Sequence, residues 1–226
     1  MWSPSVSSPF GSREPRNGSR GQTEGYDNDF SPINRERSLI DRLRRFDVVI
    51  VPGLDNSDEL HWQSQWENFW KRQGVSVQRV KQDDWSRPQL SEWRKELHAA
   101  ISRCTRPVLL VAHSLGALLT AHCADLPVAG ALLVAPADVE ETISSQVSRI
   151  SGFTPLPSMR LAFPAVMVAS QNDEWLSFTR ATLLARQWGA SLFPAGWIGH
   201  IGNRENLGFW PDGFRALDVL LERIRI

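Results

Sequence analysis

Cysteine is scarce: Cys104 and Cys123 are the only two among 226 residues. Two cysteines make no disulfide framework, and no Cys/His spacing of a metal site accompanies them. They are expected to fill space near helices, which fits a reducing, cytoplasmic setting. An excess of either charge is also missing, because 25 basic side chains balance 25 acidic ones. With no net field, the chain has no electrostatic reason to seek nucleic acid or an anionic membrane. Long apolar runs are lacking too, and none approaches the roughly 20 residues that span a bilayer. What remains is ordinary for a globular protein, with 42% hydrophobic residues. Tryptophan alone stands out, at 10 residues.

Residues 1–45 are rich in Ser, Pro, Gly, Arg and Asn and carry few aliphatics before Leu39 and Ile40. Such a segment buries too little apolar surface to offset its ordering entropy, so a solvated tail is expected. It has no apolar core of a secretory signal, and Glu14, Glu24, Asp27 and Asp29 argue against a transit peptide. Residues 46–226 are then expected to form one compact domain.

Within that domain strand and helix patterns alternate. Strands are expected over 46–51, 75–80, 107–112, 128–134, 165–169 and 191–193. Apolar residues at helical spacing mark helices over 60–72, 88–102, 176–187 and 209–225, with one more directly after Ser114. Alternation of this kind implies right-handed crossovers. The expected fold is α/β: three layers around a doubly wound, mostly parallel sheet of about six strands. Sites in such sheets lie outside the carboxyl ends of the strands.

Ala112-His113-Ser114-Leu115-Gly116 sits at such an end, between the apolar run 107–111 and the helix former Ala117-Leu118-Leu119-Thr120-Ala121. A serine in a strand–turn–helix junction, with small residues two positions to either side, has the setting of a nucleophile elbow. The first small residue is Ala112 rather than the usual glycine. A serine hydroxyl needs a base, and the base needs an orienting carboxylate. Four of the five histidines lie in or beside helices or next to the serine: His61, His98, His113 and His122. Only His200 stands in a glycine-rich loop after a late strand, Ala195-Gly196-Trp197-Ile198-Gly199-His200-Ile201-Gly202. Asp173 follows the strand 165–169 in Ser170-Gln171-Asn172-Asp173, and the order Ser114, Asp173, His200 is that of α/β-hydrolases. Asp138 also follows a strand and competes for the role of acid. Its other reading is the cap of a helix beginning at Val139.

An oxyanion hole needs backbone donors. Leu115, next after the serine, is expected to supply one N–H, and Leu54, in the turn Pro52-Gly53-Leu54-Asp55, the other. Trp62, His113, Trp175 and Trp197 stand beside these motifs and are expected to shape an apolar acyl pocket, the alternative for each tryptophan being ordinary core packing.

Val51-Pro52-Gly53-Leu54, His61-Trp62, Trp66-Glu67, His113-Ser114-Leu115-Gly116, Ala135-Pro136-Ala137-Asp138, Ser170-Gln171-Asn172-Asp173 and Gly199-His200-Ile201 together resemble the small lidless serine hydrolases of the α/β-hydrolase superfamily. That group includes the retinoblastoma-binding-protein-nine-like and YdeN-type proteins. The resemblance covers residues 46 to about 225. It implies a minimal α/β-hydrolase fold without a cap domain, with Ser114 as nucleophile, Asp173 as acid and His200 as base. The expected function is hydrolysis of a small carboxylic ester, thioester or amide through an acyl-enzyme, with a small-molecule acyl substrate. No metal or cofactor is implied, and the expected state is a monomer or weak homodimer. The rival from another class is an interaction module on the same fold whose catalytic residues are vestigial.

Overall fold

The computed structural model describes residues 32–225. Its elements follow in the order α1 (Pro32–Leu43), β1 (Asp47–Val51), α2 (Trp62–Arg72), β2 (Ser76–Arg79), α3 (Leu90–Ser102), β3 (Val108–His113), α4 (Leu115–His122), β4 (Gly130–Val134), β5 (Ala165–Ala169), α5 (Phe178–Trp188), β6 (Ser191–Pro194) and α6 (Pro211–Arg223). Two 3₁₀ turns, Val147–Phe153 and Asn203–Glu205, lie in the connections.

The six strands form one sheet in the order β2-β1-β3-β4-β5-β6, and every neighbouring pair is parallel. β1, β3, β4 and β5 are buried throughout, as continuous apolar strands covered on both faces must be. Period-two alternation splits their side chains between two cores. Val49, Leu110, Leu133 and Met167 face one layer with α3, α4 and α5. Val48, Leu109, Leu132 and Val166 face the other, with α1, α2 and α6. The chain runs from β1 outward to β2, then returns to place β3 on the opposite side of β1. That reversal opens a crevice between the ends of β1 and β3, where a doubly wound sheet takes its ligand.

Local chemistry sets the helix ends. Ser177 caps α5 by accepting the Arg180 N–H, and Gly189 ends it at φ 72, where a side chain would be strained. Pro211 opens α6 at its first turn.

The domain starts earlier than residue 46. Helix α1 falls in the stretch expected to be a solvated tail, yet Leu39, Ile40 and Leu43 are buried in the α2/α6 layer. Arg42 also pairs with Asp218 of α6. Three aliphatics at the end of a 12-residue helix are a weak local signal. Such a helix draws its stability from the surface it docks on. The expectation for residues 1–31 lies outside the described residues. No described helix is long and apolar enough to cross a membrane.

Candidate active site

Ser114 links β3 to α4 at φ 53 and ψ −121. A non-glycine residue there carries backbone strain on the order of 1–3 kcal/mol, held by its surroundings. Those surroundings are tight. A Cβ on Gly116 would meet the Val51 carbonyl oxygen at 2.3 Å, and one on Gly53 would meet Ser114 Cβ at 2.8 Å. Only glycine lets the turn after β1 and the first turn of α4 close on the serine this way. Gln63, fully buried on α2, locks the crevice. Its amide donates to the Val51 and Val111 carbonyls at 3.3 and 3.0 Å and accepts from Ser57 Oγ.

The three residues expected to act together do meet. His200 Nε2 is 2.7 Å from Ser114 Oγ, and His200 Nδ1 is 2.8 and 2.9 Å from the two Asp173 oxygens. With Nδ1–H donating to the carboxylate, Nε2 is left to accept from the serine hydroxyl. Asp173 is held in turn, because Oδ1 accepts the Trp175 N–H at 2.8 Å. Asp138 is elsewhere. It ion-pairs with Arg180 at 2.8 Å and accepts the N–H groups of Glu140 and Glu141. No helix starts at Val139; residues 139–141 form a turn.

The His200 loop is pinned on all sides. Glu205 accepts the N–H of His200 at 3.2 Å and of Gly202 at 2.7 Å. Asn172 accepts the Gly199 N–H, and Ser170 Oγ accepts that of Ile198. His113 Nε2–H donates to the His200 carbonyl at 3.1 Å. Ile201 sits at φ 57, an outlier for a β-branched residue. Trp62 Nε1–H holds that residue's carbonyl at 2.8 Å. None of these ties is visible in chain spacing except as polar residues near glycines.

A cavity of about 460 Å³ opens over Ser114 and His200. His113 and Trp175 line it as expected, and so does Leu54. Two expectations fail. Trp62 is buried, packed against Trp66 and Trp210 in the α2/α6 core. Trp197 points to solvent, 74% exposed. The wall mixes apolar and polar surface. Its unforeseen members include His61, Arg149, Glu174 and the 144–146 loop. Leu115 lies beneath the elbow, and its N–H, at the first helical position of α4, has no partner within the helix.

Two histidines of the wall are held neutral. Burial, then the charges of Arg79 and His200, push His61 down to about 3. Burial, reinforced by His61 and His200, keeps His113 well below its ordinary value. Their rings and that of His200 follow one another at centroid distances of 4.9 and 5.2 Å. Among the described residues no group of three or more His, Cys, Asp or Glu side chains is set to hold a metal ion.

The family model that matches is described as serine hydrolase, over residues 48–219. A comparison with curated proteins finds no match. A YdeN-like hydrolase from Pectobacterium atrosepticum is 33% identical, with a TM-score of 0.73, over 84% of this chain and 98% of its own. The ydeN gene product of B. subtilis is 19% identical, with a TM-score of 0.65, over 78% and 99%. Est1E from Butyrivibrio proteoclasticus, solved with ferulic acid bound, is 12% identical, with a TM-score of 0.59, over 77% and 88%. The last two show the shared fold alone.

Proposed function

The chain belongs to the serine hydrolase family, and from that premise we propose that it cleaves a small carboxylic ester, thioester or amide through an acyl-enzyme on Ser114. One observation carries the reading: an unbroken hydrogen-bonded line from Ser114 Oγ through His200 to Asp173, standing on a strained elbow inside a cavity.

Ser114 Oγ attacks the substrate carbonyl while its proton passes to His200 Nε2. Asp173 holds the imidazole in the right tautomer and stabilises the imidazolium that forms. The N–H groups of Leu115 and Leu54 take the oxyanion; Leu54 follows Gly53, which lies against Ser114. His200 then hands the proton to the leaving group, and the acyl group stays on Ser114. Water, deprotonated by the same Nε2, releases the acid.

A fluorophosphonate probe tests this directly. It should label the wild-type protein at Ser114, and Ser114→Ala should neither label nor turn over p-nitrophenyl acetate while melting at the wild-type temperature. A folded Ser114→Ala protein with full esterase activity would end the reading.

A further inference from the structure

The turn that carries Leu54 runs against the preferences of its residues. The Asn56 N–H donates to the Gly53 carbonyl at 3.2 Å and closes a four-residue turn over 53–56. Asp55, its third residue, stands at φ 61, and Asn56 at φ 64. A positive φ at the third position usually belongs to glycine or asparagine. Two non-glycine residues in a row at positive φ persist only where their surroundings hold them. The closing bond leaves out the Leu54 N–H, so the shape of the turn sets where that N–H points.

Arg149 reaches this turn from the β4–β5 connection, on the 3₁₀ turn Val147–Phe153. Its guanidinium grips both Asp55 oxygens, from Nη1 at 2.8 Å and from Nη2 at 2.6 Å. Nε and Nη2 also donate to the Ser86 carbonyl at 3.3 and 3.0 Å, and Nη1 to Gln146 Oε1 at 3.2 Å. Every N–H of the fork is thereby spent, which leaves none to recognise a substrate. Both anchors are firm. Asp84 accepts the N–H groups of Ser86 and Arg87, and the Trp85 carbonyl takes the Asp55 N–H at 3.0 Å. On the other side Ile150 and Phe153 are fully buried, and His122 Nε2–H of α4 donates to the Phe153 carbonyl at 2.8 Å.

We propose that Arg149 is a positioning residue for the oxyanion hole. By clamping Asp55 to the Ser86 carbonyl, it keeps the 53–56 turn in the shape that aims the Leu54 N–H at the substrate oxygen. The proposal rests on the hydrolytic reading above. The planar fork matters here rather than the charge, because an ammonium is a point charge that does not hold a carboxylate in two-point geometry. The side chains of Arg149 and Asp55 are 31% and 52% exposed, so the pair adds little to global stability. Its loss is therefore read in catalysis rather than in melting.

The test is steady-state hydrolysis of p-nitrophenyl acetate by the full chain. Removing an oxyanion donor costs about 10²–10³-fold in kcat, so Arg149→Gln, which loosens one, should cost about 10–50-fold. KM should stay within about threefold, because acylation and deacylation share the hole. Arg149→Lys should remain at least about fivefold below wild type. Asp55→Asn keeps a residue that tolerates positive φ but breaks the two-oxygen grip from the other side. It should lower kcat by about tenfold, and the double variant should fall no more than about twofold below the worse single one. Melting temperatures should stay within about 4 °C of wild type. A folded Arg149→Gln or Asp55→Asn protein with kcat within about twofold of wild type overturns the proposal. So do a loss carried by KM, full activity in Arg149→Lys, and losses that multiply in the double variant. Should Arg149→Gln fail to fold, Asp55→Asn decides alone. In each of these cases fluorophosphonate labelling of wild-type Ser114 still stands. Its absence removes the hydrolytic reading itself, and the proposal with it.

Discussion

Asp138 and Asp173 occupy matching places in two neighbouring regions of the sheet edge. Each follows a central buried strand, β4 or β5, and each is itself buried. Each also accepts the backbone N–H of the residue two positions on, and Asp138 that of the next one as well. They differ in the one partner that comes from far along the chain. For Asp138 it is Arg180, early in α5, which also reaches Glu140 and Glu141. For Asp173 it is His200, beyond β6. The same carboxylate in a similar local setting meets a guanidinium in one region and an imidazole in the other. A guanidinium stays protonated and can only pair, whereas an imidazole can pass a proton on.

The largest expected effect breaks that comparison if it falls the other way. Asp173→Asn should lower kcat on p-nitrophenyl acetate by about 10³–10⁴-fold, because the imidazole loses its tautomer and its stabilised cation. Asp138→Asn should stay within a few-fold of wild type. Steady-state kinetics on both variants decide it, and a more damaged Asp138→Asn would move the acid to β4.

Stability should rank the two in reverse. Asp138→Asn keeps the turn acceptor but leaves Arg180 facing a neutral group at a nearly closed site, costing about 2 kcal/mol. Asp173→Asn should cost less, since an amide oxygen can still accept from the imidazole Nδ1–H. Urea melts of both variants with unchanged m-values test the order.

Acid should also act on the cavity side, through the neutral histidines that follow on from His200. His61 goes from 6.5 in the unfolded chain to about 3 in the folded one. Below pH 6.5 the unfolded state therefore binds more protons, and stability falls with pH by up to about 1.4 kcal/mol per unit for each such histidine. The loss continues down to the folded value. His113 adds to the slope in the same direction. His61→Asn should flatten the decline between pH 6 and 4, as read by thermal melts across that range.

The smallest effect shows that lying near Asp173 in the loop set is not enough. Trp197 shares the loop of His200 but is largely exposed. Trp197→Ala should leave kcat/KM for p-nitrophenyl acetate within about twofold and stability within about 0.5 kcal/mol. A tenfold loss would return Trp197 to the pocket wall.

The strands, the three-layer arrangement and the candidate serine and histidine were legible in the chain, while the acid was left between Asp173 and Asp138. β5 spans residues 165–169 as read, and most other strand and helix ends fall within two residues of the pattern. Legibility came from backbone rules that act locally: period two in buried strands, period 3.6 in helices, and small residues where a strand and helix touch at Ser114. Helix α1 was missed because its apolar face needs α6 to be worth forming. The 3₁₀ turn that brings Arg149 to the cavity lies in a stretch with no clear period at all.

The sequence by itself determined the α/β alternation, the elbow at Ser114 and the loop that carries His200, because each follows from neighbours a few residues away. Only the tertiary structure decided which aspartate faces the imidazole, which tryptophans are core, and which residues line the cavity. Those depend on pairs such as Asp173 with His200, 27 residues apart, and Trp62 with Ile201, 139 apart. Contacts of that range are set by how the whole sheet twists and packs, and no local pattern of residues encodes them.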